Sequence, residues 1–392
     1  MTEKPEEKFS LVIGGPFYRL QQRLGLLGPD LLPPMRTALL FAAMAWLPPA
    51  LLSVAQGLAW SESLGGRAFF LDFGAYARFI IAIVLFVVME RVAEKRIGAL
   101  IRQFTDAGLV PPEEGSRFIT ALQLADRRSS SALAEAIILG VAYVASVSGG
   151  FYSLSLLQES WLGTLVDGHA RFSAAGWWIL LVSLPLFWFL LLRWLWRFVV
   201  WTRLLRDLAK VKLRLVATHP DQSGGIGFLG LYPPTFSALV FALSCVTASA
   251  ALQEMVFAGA PLASMRLVFG GWLVLVLIIF VGPLLVFAGP LARLKERALL
   301  EYGALAGQHN RAFEAKWVRR EEVGEAALGA AEISSLADLA SGFQAVKAMK
   351  PIPAGKETLI PLVVAAGLPW LAVAATQVPL AEILKKLASA LL

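Results

Sequence analysis

Residues 177–201 read WWILLVSLPLFWFLLLRWLWRFVVW. Crossing the hydrocarbon core of a bilayer takes about 20 consecutive apolar residues. This run is longer than that, and its only charges, Arg193 and Arg197, fall in its last third. It reads as a membrane span that ends at a headgroup layer. That reading decides the fold, because the rest of the chain repeats the pattern.

Five further runs have the same character: 37–58, 75–90 (short, but extendable at its start), 132–157, 236–257 and 267–288. A seventh, 359–378, contains Pro361 and Pro369. Proline removes a backbone hydrogen bond and kinks a helix. Membrane helices tolerate this where neighbours satisfy the freed carbonyl. The segment is a kinked span or a re-entrant hairpin, and the span is the expectation. The predicted class is all-α: one polytopic membrane domain over residues 1–392, with about seven transmembrane helices and helical cytoplasmic loops.

Composition points the same way. The chain is 57% hydrophobic and 16% charged, with a mean hydropathy of +0.67, an apolar excess that a soluble domain does not carry. The net charge is +7 and the pI about 9.6. No basic, aromatic-stacking module accompanies that charge, so nucleic acid is not an expected partner. Basic loops on one face of a membrane explain it instead. With seven spans, one side holds 1–36, 91–131, 202–232 and 289–358, which carry 5, 7, 5 and 10 lysines and arginines, 27 in all. The other side holds 59–74, 158–176, 254–266 and 379–392, with 5. The bias predicts a cytoplasmic N-terminus. The opening MTEKPEEKFS lacks an apolar core and a cleavage site, so no cleavable signal is expected. The one cysteine, Cys245, excludes an internal disulfide.

Several loops read as helices. In 11–27, Phe17, Leu20, Leu24 and Leu27 recur at helical spacing beside Arg19 and Arg23, which suits an interfacial helix or one packed on the protein's own loops. The loop 91–131 predicts a helical hairpin: span two continues to Gly108, Pro111 and Pro112 punctuate, and a second helix runs to Arg127 and Arg128. The loop 289–358 predicts two more helices, the second N-capped by Ser334 or Ser335. The closing 379–392 puts Leu380, Ile383, Leu384, Leu387 and Leu391 on one side, as in a short amphipathic surface helix.

Few residues suggest chemistry. The three histidines are His169, His219 and His309. His219, Asp221 and His309 share the basic side, but no His-x-x-x-His or clustered cysteine accompanies them, so no metal or cofactor is expected. Neither a nucleophile with its base nor paired carboxylates can be picked out, so no catalytic residue is assigned.

The most distinctive pattern is THPDQSGGIGFLG, residues 218–230. Asp221 can form an Asx-turn, and its glycines permit a tight corner between helices. The other reading is an anion-binding concavity of backbone amides at Gly224 and Gly225, helped by Arg203, Arg206 and Lys210 as headgroup contacts. Together with EYGALAGQHNRAFEAKW, SLADLASGFQAVKAMK and VPLAEILKKL, this corner resembles a family of bacterial polytopic inner-membrane proteins. The resemblance covers the C-terminal half and, more loosely, IRQFTDAGLVPPEE. It implies a bacterial inner membrane and a multi-span helical fold, and carries over no activity or site residue.

Arg193 and Arg197 are too widely spaced for a voltage sensor. Snorkelling to anionic headgroups, beside an aromatic belt of Trp194, Trp196 and Trp201, is the expectation. Glu90, Glu135 and Glu254 sit near span ends, and no carboxylate lies mid-span, which disfavours proton-driven transport. Span three has a small, polar face of Ala142, Ser146, Gly149 or Gly150, and Ser153. Span five has Ser237, Ser244, Thr247, Ala251 and Glu254 on one stripe. Such faces pack helices closely or line a water path, with Glu254 at its mouth or paired to Arg266. The functional expectation is channel-like or transporter-like handling of a small ion, solute or lipid by a possible homo-oligomer in a bilayer with anionic headgroups. The alternative is a scaffold or accessory subunit that docks a partner through basic cytoplasmic helices.

Overall fold

The computed structural model of the chain describes residues 9–26, 34–60, 64, 67–157, 159–319 and 331–378. In chain order these form α1 (Gly15–Arg23), α2 (Pro34–Ala55), α3 (Phe73–Asp106), α4 (Gly115–Ser129) and α5 (Ala132–Leu157). Three short strands follow: β1 (Glu159–Ser160), β2 (Gly163–Val166) and β3 (His169–Phe172). Then come α6 (Ala174–Leu208), α7 (Ser237–Phe257), α8 (Met265–Val281), α9 (Ala288–Phe313), α10 (Ala331–Lys347) and α11 (Lys356–Ala374). Among the described residues, seven helices are long and apolar enough to cross a membrane: α2, α3, α5, α6, α7, α8 running on into α9, and α11. The protein is an integral membrane protein of all-α, polytopic fold.

Residues 356–374 form one helix that continues through Pro361 and Pro369, rather than a hairpin. Ser334 and Ser335 lie inside α10, which starts at Ala331, so neither is its N-cap. The 379–392 helix and Leu27 fall outside the described residues. Within the segment 158–176, on the less basic side, residues 159–172 form a small antiparallel sheet in the order β1-β2-β3. Its turn is Asp167-Gly168, both at positive φ (50° and 76°), the conformation a two-residue hairpin needs. The sheet caps the entrance to α3: Trp161 Nε1 donates to Asp72 Oδ2 at 3.2 Å, and its ring meets Phe69 edge-on at 4.9 Å.

Helices pair in a way the small residues explain. α7 packs along α11, α5 along α6, α2 along α3, and α4 against the end of α6. The polar face of span three lies against a π-helical segment, Ile179–Ser183, near the start of α6. A wide π turn leaves carbonyls to be satisfied from outside. Ser146 donates to Leu180 O at 2.7 Å, Tyr143 to Leu181 O at 3.3 Å, while Ser183 itself donates to Ala45 O of α2 at 2.6 Å. Gly150 has no room for a side chain there, since an added Cβ would lie 2.2 Å from Leu180 Cδ2. Deeper in the bundle, aromatic rings supply much of the buried area. Trp201 stacks on Tyr232 at 4.8 Å, and Phe198 meets Phe236 and Phe280 edge-on at 5.0 and 4.7 Å.

Candidate functional site

The basic end of the bundle holds a cluster of buried charges. Its parts come in matched pairs: Glu90 and Glu94 one helical turn apart on α3, and Arg193 and Arg197 one turn apart on α6. Residues four apart share a helix face, and Glu90 is the member of its pair that meets both arginines. Glu135, in the first turn of α5, completes the group. Arg197 Nη2 lies 2.9 Å and Arg193 Nη1 3.2 Å from the same oxygen, Glu90 Oε1. Arg193 Nε lies 3.5 Å from Glu135 Oε1. The two arginines are 5% and 4% exposed.

The expected snorkelling arginines are therefore buried ion-pair members. Trp194 and Trp201 are likewise core residues rather than part of an interfacial belt. Trp194 Nε1 donates to Phe86 O at 3.0 Å, and its ring carries the Arg197 guanidinium at 4.8 Å. Helix α6 turns its charged face inward because Glu90 on α3 and Glu135 on α5 meet it there.

That segment, Phe9–Phe17, lies across the cluster as a strap. Ser10 Oγ and the Val12 amide donate to Glu94 Oε2 at 2.8 and 3.2 Å. The Phe17 amide donates to Glu135 Oε2 at 2.8 Å, and the Phe17 ring covers the Arg193 guanidinium at 4.7 Å. Phe9, Leu11 and Val12 are buried. On the far side of α1 Leu20 is exposed, as is Leu24 just past its end.

The cluster is not fully satisfied. Nη1 and Nη2 of Arg197 are enclosed, yet neither completes a hydrogen bond. The 2.9 Å approach to Glu90 is an ion pair with poor donor alignment. One carboxylate oxygen thus serves two guanidinium groups. Buried charge with unmet donors is costly in a low-dielectric setting. The missed signal was the pairing of ERVAE (90–94) with RWLWR (193–197), two i, i+4 pairs of opposite sign on different spans.

The glycine corner is organised around its own carboxylate. Asp221 Oδ1 accepts from the Ser223 and Gly225 amides at 2.8 and 3.1 Å, and Oδ2 from Gly227 at 2.7 Å. His219 Nδ1 lies 2.9 Å from Oδ1. Burial alone would raise the Asp221 pKa, but those three amides and the His219 ring together hold it below the usual carboxylate range. Gly225 sits at φ +97°, and a Cβ on Gly227 would come within 2.8 Å of Asp221 Cβ. Among the described residues no group of three metal-ligating side chains occurs. Arg203 and Arg206 are exposed beyond the core of α6, and Lys210 Nζ pairs with Asp207 Oδ1 at 3.0 Å.

The span-five stripe is split by the fold. Ser244 and Ala251 are buried, with Ser244 Oγ donating to Ala366 O of α11. Ser237 and Thr247 donate to carbonyls of their own chain segment, Pro234 O and Ser244 O. Glu254 is exposed. Among the described residues it makes no ion pair with Arg266. No family model, no curated protein and no solved structure matches this chain.

Proposed function

We propose that the chain is a transporter-like or channel-like protein of a bacterial inner membrane, with the N-terminus in the cytoplasm, that handles a small ion, solute or lipid. One observation carries the reading: the buried, under-satisfied ionic cluster that links α3, α5 and α6 beneath the N-terminal strap. Charges inside membrane helices are expensive, and they persist where ions or substrates pass or where spans exchange partners. Glu90 Oε1 shared by two arginines is a pairing that can be redistributed, and the strap is the element that closes it from the basic end. The strong excess of positive charge on that end supports the orientation.

Reconstituted vesicles test this directly. Under an imposed potassium or proton gradient, ion flux above that of empty vesicles is expected, with a loss of at least tenfold in Glu90→Gln. Flux no greater than in empty vesicles for potassium, sodium, chloride and protons would remove the ion-conducting form of the proposal.

A second reading, a scaffold or accessory subunit, is favoured by the exposed Leu300 and Leu305 on α9, 72% and 52% accessible. They lie well past the apolar part of span six, where a partner helix could cover them. Copurification of a stoichiometric second chain, lost in Leu300→Glu, would favour it over transport.

A further inference from the structure

Beside the ionic cluster, two adjoining cavities form one groove between α4, α5 and α6. The first, about 410 Å³, is lined by Arg127, Arg128, Leu133, Ile137, Ile138 and Trp196. The second, about 530 Å³, shares Leu124 and Arg128 and continues past Thr120 to Arg117, Asp207 and Lys210. The size of each suits a small ligand, for which sites run roughly 300–1,000 Å³.

The groove changes character along its length at the place a bilayer does. Arg127 and Arg128 close α4, and α5 enters the membrane three residues later at Ser131–Ala132. Ile137 lies about 8 Å further along that helix. Leu133 and Ile137 are 72% and 57% exposed, in a part of the chain whose surroundings are lipid. The corner is held in place: Trp196 Nε1 donates to Arg128 O at 3.0 Å.

Its charge is unbalanced. Asp207 serves both Lys210, at 3.0 Å, and Arg128, whose Nη1 stands 3.6 Å from Oδ2. That Nη1 is enclosed and has no hydrogen-bond partner. Arg127 adds a further exposed cation. An arginine held only by a long 3.6 Å ion pair, surplus positive charge and an apolar floor that continues into the hydrocarbon describe the two ends of one molecule.

We propose that this groove seats a single anionic phospholipid from the leaflet at the basic end. Its phosphate sits against Arg127 and Arg128, and one acyl chain runs along Leu133, Ile137 and Trp196. The phosphate pairs with the exposed Arg127 and with the accessible part of the Arg128 side chain. A free phosphate would satisfy the arginines but leave the apolar length empty.

The detergent-solubilised protein is titrated with phosphatidylglycerol and, separately, phosphatidylcholine, and bound lipid is counted by native mass spectrometry. Phosphatidylglycerol is expected to bind more tightly. Arg127→Gln combined with Arg128→Gln should cut its affinity about tenfold, and weaken phosphatidylcholine, whose phosphate is offset by its own choline cation, distinctly less. Ala134→Trp, which fills the apolar part and keeps the arginines, should weaken both lipids. Equal binding of the two lipids by the parent, an undiminished preference in the double variant, or full displacement by millimolar inorganic phosphate would each overturn the proposal. The unmodified protein gives an independent check. A phosphatidylglycerol with a diazirine in its acyl chain should label residues 124–138 or Trp196. Labels spread evenly over the lipid-facing helices, or a crosslink from this groove to a copurified protein, would overturn it.

Discussion

Arg197 Nη2 lies 2.9 Å from Glu90 Oε1, and Arg193 Nη1 reaches the same oxygen at 3.2 Å. One carboxylate therefore ties span four to span two through two guanidinium groups. Both arginines are buried, Arg193 under the Phe17 ring and Arg197 over the Trp194 ring.

Removing the shared carboxylate should leave Arg197 without its ion-pair partner and Arg193 with Glu135 alone. Glu90→Gln is expected to destabilise the fold by about 3–5 kcal/mol, read as a lower melting temperature in detergent. A Glu90→Met, Glu135→Gln, Arg193→Met, Arg197→Met variant should recover most of that loss, since a core without net charge replaces a poorly satisfied ionic one. It should also lose the proposed flux. A Glu90→Gln protein that melts like the parent would show that the carboxylate does not neutralise the arginines.

The Asp221 corner makes a pH-dependent contribution whose sign is set by its lowered pKa. The stabilisation is complete above the unfolded-state value of about 3.9 and is lost as pH falls through the still lower folded value. Asp221→Asn should therefore lower the melting temperature at pH 7, by a loss of about 1.5–3 kcal/mol. The gap from the parent should narrow as pH drops below about 4. A gap that is constant from pH 7 to pH 3 would count against the carboxylate as its source.

Much of this architecture is written locally. Span length and composition are properties of one stretch, so 177–201 or 236–257 needs nothing from the rest of the chain to be recognised. The fate of Arg193 and Arg197 is different. The same residues at the same depth snorkel or turn inward according to what faces them, and the deciding partners, Glu90, Glu135 and the Phe17 ring, are far away in sequence. The Asx-turn at Asp221 is legible in HPD-x-x-GG. The reach of its second oxygen to Gly227, six residues on, depends on a backbone path that spacing alone does not give. The sheet at 159–172 had a signal in Val166-Asp167-Gly168-His169, a hairpin turn between alternating runs. The span-five stripe was legible as small and polar, but its partner, Ala366 O on α11, lies 122 residues away.

The strong excess of basic residues on one side predicts which loops face the cytoplasm. In a Cys245→Ser background, Gln123→Cys on α4 and His169→Cys on β3 both place a thiol at an exposed position, at opposite ends of the bundle. An impermeant maleimide applied to intact spheroplasts should label His169→Cys alone, and Gln123→Cys only after lysis. The reverse pattern would invert the topology.

The neighbouring glycines of span three separate packing from a water path. A side chain at Gly150 would collide with Leu180 of the π segment, whereas Gly149 has no neighbour within 4 Å of an added Cβ. Overpacking a close helix contact costs about 1–3 kcal/mol. A valine on the lipid-facing side should change stability by about 0.5 kcal/mol or less. Gly150→Val is therefore expected to melt several degrees below the parent and Gly149→Val close to it. The loss should come with weakened hydrogen-exchange protection at Leu180, because displacing α5 withdraws the Ser146 hydroxyl from the Leu180 carbonyl. Equal tolerance of valine at both positions would mean that α5 and α6 are not in contact along this face, and that its serines are free to line water.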